Sequence, residues 1–254
     1  MKWSVVLAGP PPPDLDTILS SAHEPSDPTP DSLEAVTELC AAPTTTGILV
    51  VGADADLARV VTVMRSAGKD LPLSLIPNQR SDLLTMFGLN RARAIARIQS
   101  GSAYRADLGQ VRIGDTIRPF VAHVAATGSR RSRLLSRREA VVITTPRRAY
   151  ELAGWWVIAA NAQHLAGRTI APKAALTDGQ LDLQVFGGSV LTRLRLMRLA
   201  KRGLHLRDSS LWRRSVSSGL AEIPERWAVT VDGVPAGFGP FEVSTEALAF
   251  DLWV

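Results

Sequence analysis

The side chains best placed to do chemistry are carboxylates and arginines beside apolar runs. Asp54 and Asp56 follow the apolar stretch 47–51 and open a segment with helical periodicity. There they would cap open backbone N–H groups and complement the positive end of a helix dipole. Arg80, in the loop Pro77-Asn78-Gln79-Arg80-Ser81-Asp82, could hold a phosphate or lie solvated. Asp232-Gly233 reads as a hairpin turn. His164 and His205 are isolated, and Cys40 is the only cysteine. Neither a transition-metal cluster nor an internal disulfide is therefore expected, and no Ser-His-Asp arrangement is readable from order alone.

The elements that must position these groups fall into two regimes. Residues 3–7 are apolar and stop at Gly9 and the prolines 10–13, which predicts a strand and a stiff loop. Helices are expected over 14–22 and 32–42, the latter capped by Asp31 or Ser32, with a proline-marked linker over 25–30. The run 47–51 reads as a strand buried on both faces of a parallel sheet. Residues 56–67 place Leu57, Val60, Val61 and Met64 on one helical stripe. A strand over 73–76 and a short helix over 82–89 continue the alternation, which implies an open α/β domain over residues 1–104. Beyond it, strand-like runs at 111–113, 120–125, 140–144, 155–160, 181–186, 227–231 and 248–254 imply a β-rich domain over 105–254. The last of these strands is a candidate to return toward the first domain.

One helix interrupts that second part, over 191–202. Leu191, Leu194 and Met197 share one side, with Arg193, Arg195, Arg198, Lys201 and Arg202 largely elsewhere. Such a helix either faces a core with its apolar stripe or lies on an anionic membrane. A second cluster, Arg130, Arg131, Arg133, Arg137 and Arg138, adds to the basic surface. The net charge of +5 hides an asymmetry: residues 1–60 carry nine acidic and two basic side chains, leaving 15 acidic and 27 basic in the remainder. A basic second part suits phospholipid, nucleic acid or a phosphorylated product, or is simply solvated. No nucleic-acid-binding pattern accompanies the charge, so nucleic acid is not the expected partner. Without a transmembrane or signal pattern, and with a single cysteine, the expected location is the cytoplasm, with peripheral contact at the inner membrane face.

Residues 155–186, WWVIAANAQHLAGRTIAPKAALTDGQLDLQVF, carry several elements in a recognisable order. These are Asn161 ending a strand, Gly167 in a turn, Ala171-Pro172-Lys173-Ala174, and Asp178-Gly179-Gln180-Leu181-Asp182. Asp107-Leu108-Gly109, Gly203-Leu204-His205 and Val231-Asp232-Gly233 fall into the same register. The chain resembles the diacylglycerol-kinase-like lipid kinases along nearly its whole length, least before residue 45. The resemblance implies a nucleotide-binding α/β domain like that of NAD kinases and diacylglycerol kinases, a β-sandwich-like lipid-binding domain, and an active cleft between them.

It also implies where chemistry would sit. Phosphoryl transfer needs a cradle of backbone N–H groups, a metal and a base. The family's G-G-D-G-T loop corresponds to Gly52-Ala53-Asp54-Ala55-Asp56, and its P-x-G-T-x-N-D loop to residues 77–82, one residue shorter and without the Gly-Thr pair. The nucleotide-binding positions are thus Gly52, Asp54, Asp56, Arg80 and Asp82, in altered form. Alanine for glycine restricts backbone freedom, and Asp56 puts a charge where the family has threonine. The early N-P-x-s-G element is replaced by the run 9–13. Val234 stands where the family's DGE motif has its general base, and valine cannot titrate, which leaves Asp232 as a substitute. Asp178, Gly179 and Leu181 stand where relatives hold a structural magnesium, a ligand set suited to a hard cation, or form a metal-free turn. These changes predict an impaired or inactive lipid kinase that retains lipid binding, with ATP in question as a cofactor. The alternative is an active kinase with a rearranged cradle that uses Arg80 on phosphate.

Overall fold

The computed structural model describes residues 3–21, 29–30, 33–128 and 138–254. Arg130, Arg131, Arg133 and Arg137 of the second basic cluster lie outside the described residues, as do Asp31, Ser32 and most of the 25–30 linker. The chain divides into two compact units, residues 1–106 with 248–254, and residues 107–247.

The first unit is built on parallel strands in the order Thr29–Pro30, Trp3–Leu7, Gly47–Gly52, Leu73–Pro77, followed by the end of the long strand Phe241–Trp253. Every residue of Gly47–Gly52 and of Leu73–Pro77 is buried, the signature of a sheet covered on both faces. The helix Asp54–Ser66 buries the expected stripe of Leu57, Val60, Val61 and Met64, each contributing roughly 1.5–3 kcal/mol by leaving water. It starts two residues earlier than its apolar periodicity predicts, because the polar Asp54 is drawn into the fold. Trp3 meets Trp253 edge to face at 5.8 Å.

The helical segment expected over 82–89 is instead Asp82–Met86, and a second helix, Arg91–Ser100, follows unannounced. Only Ala94 and Ile98 of that helix are buried, so its apolar stripe is too thin to register. Its entry is held by Asn90, whose side-chain oxygen accepts from the Arg93 N–H at 3.0 Å, an ordinary N-cap.

The second unit contains an antiparallel sheet in the order Leu211–Val216, Leu181–Phe186, Trp156–Ala160, His123–Thr127, Ala228–Val231, Val234–Phe238. Further antiparallel strands include Ser218–Glu222, Glu139–Thr144 and Ala149–Gly154. Alternation assigns side chains to two cores: Val157 and Ala159 enter one with Leu181, Leu183, Phe241 and Trp227. Trp156 and Ile158 point to the other, with Trp155, Phe186, Leu196 and Ala200. Period-two alternation is what a strand buried on both faces requires when the two faces meet different partners.

Two expectations need correction here. The run 120–125 is not one strand, because Thr116–Phe120 ends and His123–Thr127 begins on either side of Val121-Ala122. The N–H groups of those two residues are taken by a side-chain carboxylate instead of a ladder. The helix Val190–Ala200 also turns a different face inward: Arg193, Leu196 and Ala200 are buried, whereas Leu191 and Leu194 are 78% and 45% exposed. Ser189 caps the helix after the Gly187-Gly188 turn and sets its phase. The Arg193 guanidinium then lies 5.1 Å from the centre of the Trp155 ring, a cation–π contact strengthened by burial. Among the described residues, the strands Ala149–Gly154, Leu211–Val216, Ser218–Glu222 and Val234–Phe238 and the two-residue strands Thr29–Pro30, His164–Leu165 and Arg168–Thr169 fall outside every expected strand.

Candidate functional site

In the first unit, strands Gly47–Gly52 and Leu73–Pro77 run side by side with Gly52 opposite Pro77. Both feed a loop and then a helix, so residues 53–56 and 78–82 meet at the carboxyl ends of parallel strands, where open α/β sheets bind ligands. The Asn78 N–H donates to the Gly52 carbonyl at 3.0 Å and ties the two loops at their bases.

Asp54 makes the second tie. Its carboxylate accepts from Ser81 Oγ at 2.5 Å, the Asp82 N–H at 2.9 Å and the Leu83 N–H at 3.2 Å. It therefore caps the start of the neighbouring helix, Asp82–Met86, while sitting at the start of its own. Burial pushes its pKa up to about 6, against the pull of Ser81 and the two backbone donors. Asp56 behaves differently. One oxygen accepts from the Ala53 N–H at 2.8 Å and the other from Arg59 at 3.0 Å. A Cβ on Gly52 would come within 2.6 Å of Asp56 Oδ2 and 2.8 Å of Ala8 Cβ. The glycine is thus required by the chain's own carboxylate and by Ala8.

Arg80 is exposed and lines a hollow of about 520 Å³ with Pro77, Ser81, Asn90 and Arg91. Arg91 is engaged: it grips Asp14 with two nitrogens, at 2.8 and 2.5 Å, and donates to the Pro77 carbonyl at 2.7 Å. The Arg91 hydrogen bonds to the Asp14 carboxyl hold it below its usual range. Asp14 follows the prolines 10–13, so the stiff loop is anchored beside this hollow. Asp82 is buried next to Ser81.

The second unit gathers the other candidates. Gly179 has φ +65° and donates its N–H to Asp107 Oδ2 at 2.7 Å, and Asp178 accepts from the Gln180 N–H at 3.0 Å. Asp107 is fully buried, and its backbone carbonyl accepts from Asn161 Nδ2 at 3.0 Å. The motif residues Asp107, Asn161 and Gly179 are thus one connected support. As a cation site the turn is thin: Asp178 offers one exposed carboxylate with an oxygen already engaged, and Gly179 and Leu181 can add only carbonyl oxygens. A hard cation would need several waters to reach six oxygens. Among the described residues no three of His, Cys, Asp and Glu cluster at metal-binding distance.

Asp232 is spent on the backbone. Its Oδ1 accepts from the Ala122 and His123 N–H groups at 2.9 and 2.8 Å, and its Oδ2 from the Val121 N–H at 2.9 Å. Asp232 and Gly233 both have positive φ, +46° and +81°, the geometry of a tight hairpin turn. Val234 opens the next strand, half exposed and aliphatic. His205 is also structural: it bonds the Ile170 carbonyl at 2.8 Å, stacks on Phe186, and burial lowers its pKa.

A cleft in this unit escaped the sequence reading. It measures about 590 Å³ and is lined by Arg147, Tyr150, Asp178, Arg214, Ser215 and neighbours. Arg148 lies 4.5 Å over the Tyr150 ring and Arg214 at 5.6 Å. The two guanidiniums beside the ring pull the Tyr150 phenol below its usual pKa. The doublets Arg147-Arg148 and Arg213-Arg214 were the available signal, but nothing in their spacing joins them before the sheets form.

The similarity of the chain to known proteins agrees with this architecture. Residues 123–253 match the family model described as the YegS C-terminal NAD kinase beta sandwich-like domain. The crystal structure of a candidate diacylglycerol kinase from Bacillus anthracis str. Sterne aligns over 99% of this chain and 96% of its own, at 17% identity and a TM-score of 0.79. A further diacylglycerol kinase structure from that organism aligns over the same shares at 18% identity and a TM-score of 0.75. Yeast NADH kinase complexed with NADH aligns over 100% of this chain and 82% of its own, at 10% identity and a TM-score of 0.52. A search of curated proteins gives no match. With more than half its length matched by that family model, and with an α/β unit preceding a β-rich one, this chain belongs to the YegS family of NAD-kinase- and diacylglycerol-kinase-like proteins.

Proposed function

We propose that this protein is a diacylglycerol-kinase-like homologue that has lost phosphoryl transfer to a lipid hydroxyl while keeping a lipid-binding role, in the cytoplasm at the inner membrane face. One observation carries the reading: the Ala53 N–H, a donor in the loop that would cradle phosphate, is already taken by Asp56 at 2.8 Å. The same carboxylate crowds Gly52, where the backbone would have to approach a phosphate. A negative charge about 4 Å from a phosphate oxygen costs roughly 4 kcal/mol at an effective dielectric near 20. Asp54 is equally committed, to Ser81 and the next helix. Val234 offers no proton acceptor, and Asp232 cannot serve while three N–H groups hold it. A base must reach the proton it removes.

The test is transfer of labelled γ-phosphate from Mg-ATP to diacylglycerol by the purified chain. No product is expected, and Mg-ATP should leave the melting temperature unchanged. Val234→Glu alone should remain inactive, because it restores a carboxylate without freeing the loop. Phosphorylated lipid from the unaltered protein, lost on mutation of the Gly52–Asp56 loop, would overturn the proposal. It would favour an active kinase with a rearranged cradle, a reading supported by Arg80, which is exposed at its hollow and has no ion-pair partner among the described residues.

A further inference from the structure

The helix Val190–Ala200 inverts the usual arrangement, with an arginine inside and leucines outside. Arg193 is 3% exposed while Leu191 is 78% exposed. At about 100° per residue, Leu191, Leu194, Arg195, Arg198, Lys201 and Arg202 share a single outward arc of the helix and its exit. The following short helix, Leu204–Arg207, continues the same mixture: Leu204 is 59% exposed and Arg207 is exposed. Arg195, Leu199, Leu204 and Arg207 line one shallow hollow with Asp208. Asp208 pairs with Arg195 at 2.6 Å, so the carboxylate in that hollow is already spent.

We infer that this face is a docking surface for an anionic lipid bilayer, with the leucines entering the headgroup–acyl boundary and the cations holding lipid phosphates. Each half of the surface argues for that occupant. Exposed aliphatic side chains gain nothing from water and gain from an apolar boundary. The surrounding cations gain from a negatively charged leaflet and are screened by salt. A second copy of the chain fits less well, because two-fold pairing would set the same arginines and lysine against each other. Nucleic acid would satisfy the cations but not the leucines, which offer neither stacking faces nor hydrogen bonds. The inference is independent of whether the loop of the first unit handles phosphate.

Vesicle flotation of the full chain tests it, with phosphatidylcholine vesicles with or without phosphatidylglycerol, at low and high salt. Binding is expected only with phosphatidylglycerol, and it should weaken as salt rises. The double variants Leu191→Ser/Leu194→Ser and Arg198→Ser/Lys201→Ser should each lose roughly tenfold or more in binding. All four positions are exposed, so melting temperatures should match the parent and separate lost docking from lost folding. The assignment fails if the parent does not float, or if either double variant binds as well as the parent. It also fails if the leucine pair instead abolishes a dimer while vesicle binding stands. Binding to duplex DNA that needs only the cations, with no flotation, would assign the face to nucleic acid.

Discussion

Replacing Asp232 with alanine is expected to destabilise the protein by roughly 3–5 kcal/mol, a loss well above that of an ordinary surface change. The substitution strands three N–H donors, those of Val121, Ala122 and His123, which now lie 2.8–2.9 Å from one carboxylate. Each buried donor left without an acceptor costs about 1–3 kcal/mol. Alanine also tolerates positive φ less well than Asp or Asn, and Asp232 sits at +46°. At about 2–4 °C per kcal/mol for a chain of this size, the melting temperature should fall by roughly 6–20 °C. Asp232→Asn keeps one acceptor oxygen and accepts the same backbone, so it should recover much of the loss. Thermal and urea unfolding of the three proteins decide the matter. An alanine variant within about 1 kcal/mol of the parent would mean that the carboxylate is not the pin joining this hairpin to residues 121–123.

Asp54 should produce the second large effect, and one with a pH signature. Its native pKa, about 6, lies above the ordinary 3.8, so the folded state binds the proton more tightly than the unfolded state. Its favourable contribution is therefore fully present below about pH 4 and is lost as pH rises through about 6. A shift of that size corresponds to roughly 3 kcal/mol across the window. Asp54→Asn should flatten the stability profile between pH 4 and 6 relative to the parent, since an amide does not titrate there. Asp54→Ala should flatten the profile in the same way but from a lower level, costing about 2–4 kcal/mol near pH 4 and less as pH rises through about 6, because the Ser81 hydroxyl and the Asp82 and Leu83 N–H groups lose their acceptor. Urea midpoints measured at intervals from pH 4 to 7 would show this. A parent and an asparagine variant with parallel profiles would rule out Asp54 as the titrating group.

These two carboxylates also mark how far the sequence could be read. The strand Gly47–Gly52 and the helix after it were legible because five apolar residues and a 3.6-residue stripe admit few alternatives. Asp54 and Asp56 were legible as helix-starting carboxylates, but each reaches a partner of its own. Asp56 turns back to Ala53, while Asp54 crosses to a loop 27 residues away. Nothing in local spacing encodes that crossing; it follows from two strands lying side by side. The family resemblance rested on the segment 155–186, whose Asn161 and Gly179 do meet Asp107, from outside the segment, in one support. Elsewhere, periodicity misled. Leu191, Leu194 and Met197 make a plausible inward stripe, yet only Met197 packs against the core there; the aromatic floor of Trp155, Trp156 and Phe186 takes Arg193 and Leu196, and the two leucines stay exposed. Arg91–Ser100 and Leu211–Val216 were hidden by their arginines, which interrupt the apolar pattern and find their partners only in the folded chain, Arg91 at Asp14 and Arg213 at Asp182.

The placement of residues 248–254 in the first unit has a consequence for biosynthesis. Leu252 pairs with Leu73, and Trp253 reaches both Trp3 and the Arg97 carbonyl. A ribosome delivers residues 1–106 long before those partners exist. During translation the first unit must wait with the Leu73–Pro77 strand uncovered along one side, an edge open to wrong pairing. Its last strand arrives only after all of the second unit has been made. Vectorial synthesis therefore gives this chain a late closing step, and a nascent chain stalled after the first 106 residues but before residue 248 would expose the same unfinished edge to chaperones.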